Sequence, residues 1–234
     1  TLEVRNLVKH FDGVQAVRGV SFDVRSGECL ALIGPNGAGK STTFACIAGQ
    51  HSPTAGDIIW AGQRINDWPA ARRLQHGMAR TFQVAQTFEA LTVLQNLQLL
   101  MAVPQGLSAW KALNGMARPM AMALLEQVGL ASLADADVLG LPYGAKKRLE
   151  LAMALAGIAT PREGARLLLL DEPAAGLAAA ERADLMRLVK SLAGQGISVL
   201  YTEHNMDAVF GVADRVLVLI DGQIAAQGTP DEIA

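Results

Sequence analysis

Gly34-Pro35-Asn36-Gly37-Ala38-Gly39-Lys40-Ser41-Thr42 fits the pattern G-x-x-x-x-G-K-[ST] and reads as a phosphate-binding loop. Its setting supports that reading. Cys29-Leu30-Ala31-Leu32-Ile33 before it is a short apolar run of strand type, and Thr42 to Ala48 after it can run as a helix until Gly49 stops it. The glycines at 34, 37 and 39 let the backbone curl with its N–H groups pointing inward. The following helix N-terminus adds partial positive charge, so a polyphosphate is held by fixed dipoles. Lys40 is expected to reach the β- and γ-phosphates, and the Ser41 hydroxyl to ligate Mg²⁺. The alternative is a glycine-rich turn with an exposed lysine, and the order strand, loop, helix argues against it.

The second decisive run is Leu167-Leu168-Leu169-Leu170-Asp171-Glu172-Pro173. Four consecutive leucines mark a strand buried on both faces, with two carboxylates at its C-terminal end. In a parallel α/β sheet that end is where ligands bind. An apolar strand ending in an acid is common in such folds, so the carboxylates gain their meaning from the phosphate loop. Together the two runs assign Asp171 to Mg²⁺ through water and Glu172 to orienting an attacking water. Ile197 to Thr202 is another buried strand ending in polar residues, Glu203 and His204. A histidine after a strand more often caps or packs than catalyses, but its place beside the other strand ends favours a catalytic role.

Composition narrows the class. The 234 residues suffice for one sizeable core and are 51% hydrophobic. Twenty basic against twenty-two acidic residues give a net charge of −2, which is no electrostatic footprint of a nucleic-acid binder. Cys29 and Cys46 lie inside apolar patterns without a metal-ligand or C-x-x-C neighbour, as expected of reduced core residues in a cytosolic protein. The longest apolar stretches are interrupted by Gln95, Asn96 and Gln98 or by Asp221, short of the roughly eighteen residues of a membrane span. The opening residues do not read as a signal peptide.

Along the chain, Thr1 to Val8 and Val14 to Val24 read as antiparallel strands around the turn Phe11-Asp12-Gly13. Pro53 to Asp57 is a turn, Ile58-Ile59-Trp60 a strand and Ala61-Gly62-Gln63 another turn. Apolar spacing is helical from Ala70 to Gln75 and from about Thr92 to Met101, with Thr81-Phe82-Gln83 closing a short strand between them. Residues from about 104 to 140 are rich in Ala, Leu and Met, with Met122, Leu125 and Val128 at helical spacing, and read as a small helical subdomain inserted into the α/β body. Leu141 to Ala145 reads as a loop feeding a helix whose first turn carries Lys146, Lys147 and Arg148, cations that oppose the helix dipole and suit a nearby anion. Glu181 to Leu192 is a surface helix, and Asp221-Gly222 a hairpin signal. Thr229-Pro230-Asp231-Glu232 is a capping box two residues from the end of the sequence. With no methionine at its start, the chain is expected to be trimmed at both ends.

These motifs, in this order, resemble the ATP-binding subunits of ABC transporters from the first strand to the last hairpin. Residues 34–42 match Walker A, and 167–173 match Walker B followed by the catalytic glutamate. Gln83 falls at the Q-loop, His204 at the switch histidine, and Phe11 at the aromatic that stacks on adenine. The ABC signature LSGGQ appears as Leu141-Pro142-Tyr143-Gly144-Ala145, and the D-loop as Ala175-Gly176-Leu177-Ala178 without its terminal acid. The departures narrow the subfamily. LxYG, ARTFQ at 79–83, DEPAAGL at 171–177 and TEHNMDAV at 202–209 resemble importers of branched-chain amino acids and of related solutes such as urea and short amides.

The resemblance implies an α/β P-loop core with an antiparallel β-subdomain, all within one domain over 1–234, with the helical subdomain at about 84–158. It implies an ATPase whose cofactors are ATP and Mg²⁺. Phe11, the loop Gly34 to Thr42, Tyr143 and Gly144 would bind nucleotide, and Ser41, Gln83 and Asp171 would hold the metal. Lys40, Gln83, Glu172 and His204 would act in catalysis. Two cassettes would face head to tail, each closing the other's site with its signature loop. The implied partners are two membrane subunits, a second and usually different ATPase subunit, and indirectly a periplasmic binding protein, at the cytoplasmic face of the inner membrane. Three other readings stand beside this one. A soluble ABC ATPase of repair or translation usually carries tandem cassettes or a coiled-coil insertion. A small-molecule kinase or GTPase is opposed by Asp171-Glu172 with a distal histidine and by the lack of N-K-x-D. A regulatory nucleotide-binding module without turnover is kept open by the altered signature.

Overall fold

The computed structural model describes residues 1–81, 87–102, 118–159 and 164–234. β1 (Leu2–Phe11) and β2 (Val14–Val24) form an antiparallel hairpin. Asp12 and Gly13 make its turn at φ +37° and +90°, the left-handed pair that a tight hairpin turn requires. Phe11 therefore closes β1, paired with Val14, instead of lying in the turn. After β3 (Cys29–Ile33), β4 (Ala55–Trp60) returns to pair with β1, and β5 (Gln63–Arg64) pairs with β4. Among the described residues the result is a four-stranded antiparallel sheet ordered β2-β1-β4-β5.

β3 belongs to a second sheet with β6 (Met78–Arg80), β7 (Arg166–Asp171), β8 (Ile197–Thr202), β9 (Arg215–Ile220) and β10 (Gln223–Gly228). Among the described residues it has six strands in the order β10-β9-β3-β8-β7-β6, with β10 antiparallel to β9 and every other pairing parallel. The C-terminal ends of β3, β7 and β8, neighbours in the centre, carry the phosphate loop, Asp171 and Glu203-His204. That is the crevice at which open α/β sheets bind ligands.

The leucine run shows why β7 is an interior strand covered on both faces. Leu167 and Leu169 pack into a core shared with β1, β2, β4 and α1 (Lys40–Ile47), while Leu168 and Leu170 point to the opposite core, and all four are 0% exposed. That second core holds α3 (Val93–Ala102), α4 (Arg118–Gln127), α5 (Tyr143–Ile158) and α6 (Ala179–Gly194). Met122, Leu125 and Val128 do face it, as their spacing predicts. Two short helices, α7 (Met206–Phe210) and α8 (Pro230–Ile233), close the chain, with Glu232 Oε2 accepting from Thr229 N at 2.8 Å in the predicted capping box. Both cysteines are buried, and burial pushes the thiols up to about 12 for Cys29 and about 11 for Cys46, so they are inert core residues.

α2 (Ala70–Gln75) is placed by an arginine that the apolar pattern does not reveal. Arg73 is 1% exposed and donates to the carbonyls of Cys46 at 2.7 Å and Ile47 at 2.5 Å, at the end of α1, and to Ile65 at 2.7 Å and Trp68 at 2.9 Å. A cation at a helix C-terminus is favourable, so one side chain ties the helix behind the phosphate loop to the segment leading into α2. Burial lowers the Arg73 pKa to about 10, which leaves it charged at neutral pH.

Candidate functional site

β3 delivers Gly34 to the sheet edge and α1 begins at Lys40, two residues before the helix start expected from the apolar pattern. Pro35, Asn36 and Gly37 are exposed, Ala38 is buried, Ser41 is exposed and Thr42 half-buried. Gly34 stands at φ +149°, and a Cβ added there would lie 2.0 Å from the Leu219 carbonyl oxygen of β9. The loop is thus pressed against the neighbouring strand where only glycine fits. From the other side, Gly222 N donates to Ala38 O at 3.0 Å while Gly222 O accepts from Arg18 N at 2.8 Å. The β9–β10 turn therefore bridges the loop to β2, in the same hairpin that carries Phe11. Asp221-Gly222 announced a hairpin in the sequence, but nothing in it announced this brace.

Lys40 is 7% exposed, and its Nζ donates to Gly34 O at 2.7 Å and Pro35 O at 2.9 Å. It spans the loop from within and is not the exposed lysine of the alternative reading. Burial lowers its pKa, opposed by the nearby charges of Glu172 and Asp171, so the structure brings these three groups into one field. Glu172 Oε1 lies 2.8 Å from His204 Nε2, which joins the predicted acid and histidine directly. Glu172 stands at φ +49°, an unusual backbone for a glutamate, and such positions cluster at functional sites.

Thr202, at the end of β8, holds the two acids in register. Its hydroxyl donates to Asp171 Oδ1 at 2.7 Å and accepts from Glu172 N at 3.0 Å. Glu203, 4% exposed, accepts from Ala174 N at 3.0 Å and His204 N at 3.1 Å, pinning the turn after Glu172 to the base of His204. Arg80, at the end of β6, donates from Nη2 to Asp171 Oδ2 at 3.0 Å. Neither Thr202 nor Arg80 was singled out by the sequence. The available signal was positional, since both end strands that flank β7 in the sheet.

The donor set suits Mg²⁺ bound together with a polyphosphate. Among the described residues no group of three or more His, Cys, Asp or Glu could form a metal cage. A hydroxyl on Ser41 and a carboxylate on Asp171 are few and hard oxygen donors, and Mg²⁺ is held by one or two such ligands plus phosphates and water.

Around the altered signature two expectations change. α5 starts at Tyr143, with Pro142 at its N-cap, so Tyr143 to Ala145 are helix and not loop. The first bond runs from Lys146 N to Pro142 O at 3.0 Å, and the cations fall at the fourth to sixth helical positions. A proline serves at a helix start because no N–H is needed there. The cations are also occupied within the chain. Lys146 donates to Leu139 O at 3.3 Å, Arg148 to Val128 O at 3.0 Å, and Lys147, buried, pairs with Glu150 at 3.3 Å. Their presence therefore needs no external anion. Burial raises the Glu150 pKa, with Lys147 opposing. The Tyr143 ring packs against Gly176 and its hydroxyl donates to Ala175 O at 3.3 Å, tying the signature segment to the turn that follows Glu172. Gly144 faces the Glu181 carboxylate.

Phe11 is 39% exposed, edge-on to His51 at 5.2 Å between ring centroids, with Lys9 Nζ 4.9 Å from its centroid. Gln83 lies outside the described residues. Among those residues no helix is long and apolar enough to cross a membrane.

A family model described as ABC transporter matches residues 17–175. The chain is 36% identical over 242 residues to the high-affinity branched-chain amino acid transport ATP-binding protein LivG of Salmonella typhimurium, covering 99% of this chain and 92% of that one. It is likewise 36% identical over 233 residues to the lipopolysaccharide export system ATP-binding protein LptB of Escherichia coli, covering 100% and 92%. The solved ADP conformation of an ATP-binding cassette of an ABC transporter matches with a TM-score of 0.84 at 31% identity, over 99% of this chain and 91% of that one. The loop Gly34 to Thr42, with Asp171, Glu172 and His204 gathered at neighbouring strand ends, is the candidate site, and the chain belongs to the ABC transporter family as one of its ATP-binding cassettes, an ATPase.

Proposed function

We propose that this chain is the peripheral subunit that hydrolyses ATP to drive an importer for branched-chain amino acids or related small polar solutes. The observation that carries the reading is likeness over nearly the whole chain to a branched-chain amino acid transport subunit, together with the subfamily's variant motifs at 79–83, 171–177 and 202–209. The equal identity to a lipopolysaccharide export subunit keeps export as a second reading, because solute and direction are set by the membrane subunits.

In this proposal the loop amides and Lys40 bind the β- and γ-phosphates, and Phe11 stacks on adenine. Ser41, Gln83 and Asp171 would hold Mg²⁺, which when bound neutralises phosphate charge. Glu172 orients the attacking water and takes its proton. His204, 2.8 Å from Glu172, fixes that carboxylate and reaches toward the γ-phosphate. Phosphoryl transfer is mostly positioning and charge neutralisation, which suits a site made of amides, one lysine and a few fixed acids. Gly144 and Tyr143 would present first-turn amides to the nucleotide of a facing cassette, a second ATPase subunit of different sequence. Binding would occur at the cytoplasmic face of the inner membrane, against two membrane subunits fed by a periplasmic binding protein.

The test is reconstitution of the chain with its membrane subunits, second ATPase and solute-binding protein, in vesicles loaded with ATP. Uptake of leucine or a related solute, lost on Lys40→Ala, is the expected result. ATP hydrolysis without uptake of any such solute, but with extraction of lipopolysaccharide, would favour the export reading.

A further inference from the structure

Asp171 is 5% exposed and both of its carboxylate oxygens are held by protein groups: Thr202 on Oδ1 at 2.7 Å and Arg80 on Oδ2 at 3.0 Å. The two partners differ in kind. A threonine hydroxyl can rotate to accept as well as donate, so it tolerates a cation beside Asp171. A guanidinium is permanently charged and offers only donors, so a divalent cation taking Oδ2 would meet a like charge at close range. Arg80 is also anchored away from the acid. Its Nη1 donates to Gln50 Oε1, at the end of the segment behind the phosphate loop, and its guanidinium carbon lies 5.9 Å from the ring of Phe44 in α1. Its side chain is 13% exposed, which keeps the pair in a weakly screened setting.

We propose that Arg80 is a positioning residue that holds Asp171 as its counter-charge and yields to a divalent cation, thereby setting how strongly nucleotide binding depends on metal. The inference rests on the reading of Asp171 as a metal ligand. Arg80 keeps a buried carboxylate paired when only nucleotide or neither ligand is present, and each cation bound must first weaken that pair. Metal and nucleotide are then coupled through one side chain on β6.

The test is the affinity of the full chain for ADP by calorimetry, with EDTA and with saturating Mn²⁺, taken as the ratio of the two dissociation constants. Arg80→Gln should raise the benefit of metal by about tenfold, the worth of one charge-assisted hydrogen bond no longer competing. Arg80→Lys keeps the charge but loses the fork that also reaches Gln50, so its ratio should lie between the native one and that of Arg80→Gln, and Gln50→Ala should move it in the direction of Arg80→Gln by less. An unchanged or lower ratio in both Arg80→Gln and Gln50→Ala overturns the proposal. A purely structural Arg80 would lower the melting temperature and leave the ratio alone, and Gln50→Ala serves if Arg80→Gln fails to fold. Asp171→Asn separates the two levels. A collapsed ratio there with a native ratio in Arg80→Gln sinks only the Arg80 inference, whereas a native ratio in Asp171→Asn sinks the metal-ligand reading itself.

Discussion

Glu172→Gln is expected to leave ATP binding intact and to cut turnover about a hundredfold or more, trapping the cassette closed on a facing partner. The amide keeps the shape of the side chain and can still bond to His204, which lies 2.8 Å from Oε1, so packing is preserved. What is lost is the negative charge that, in the proposed function, takes a proton from water. The variant also removes one of the two charges that favour protonated Lys40, yet its hydrogen bonds to Gly34 O and Pro35 O do not involve Glu172. Affinity for ATP, measured by equilibrium titration, should therefore change little while phosphate release falls. Near-native turnover in Glu172→Gln would assign the chemistry to another group.

A second large effect is expected at Gly34. Gly34→Ala puts a Cβ 2.0 Å from the Leu219 carbonyl oxygen, a contact with backbone that no rotamer relieves. Either β3 and β9 separate or the loop leaves its cradle, and the expected cost is about 3 kcal/mol or more, with nucleotide binding lost. Gly37→Ala is the control within the same loop. Gly37 has φ +80° but nothing within 4 Å of an added Cβ, so only backbone strain applies, about 1 kcal/mol. Thermal unfolding of the two variants, with ATP titration, checks the contrast. Equal losses would mean that both glycines serve flexibility and that the contact with Leu219 is unimportant.

The buried strands, and the sheet end at which the candidate site residues gather, were legible because such strands declare themselves locally, whereas the order of the strands was not. Leu167 to Leu170, a short apolar run ending in acids and a proline, reads as a strand covered on both sides, and the loop at 34–42 carries its own chemistry. Asp171, Glu172 and His204 were singled out because each ends or follows such a strand, and Lys40 because of the loop pattern. Arg80 and Thr202 were not, since an arginine or threonine at a strand end is common and only the neighbouring strand tells which acid it meets. Arg73 was hidden for the same reason, because its partners are carbonyls that have no sequence signature. The start of α5 was misjudged at Leu141-Pro142-Tyr143-Gly144, where proline and glycine imitate a loop while the proline serves as the helix N-cap. The three cations that follow call for an anion or acid nearby, and each is used within the chain by a carbonyl or by Glu150.

That last finding leaves the signature itself as the reason to expect unequal sites in a pair of cassettes. Pro142 offers neither a hydroxyl nor an N–H to a facing nucleotide, and the Tyr143 side chain is committed to Ala175 in its own chain. The most direct measurement is mass and ATPase rate for the isolated chain with ATP, and then for the same chain assembled with its membrane subunits and second ATPase. A mostly monomeric chain with slow turnover that becomes fast only in the assembly is the predicted result. A stable ATP-dependent homodimer hydrolysing as fast as the assembly would contradict it.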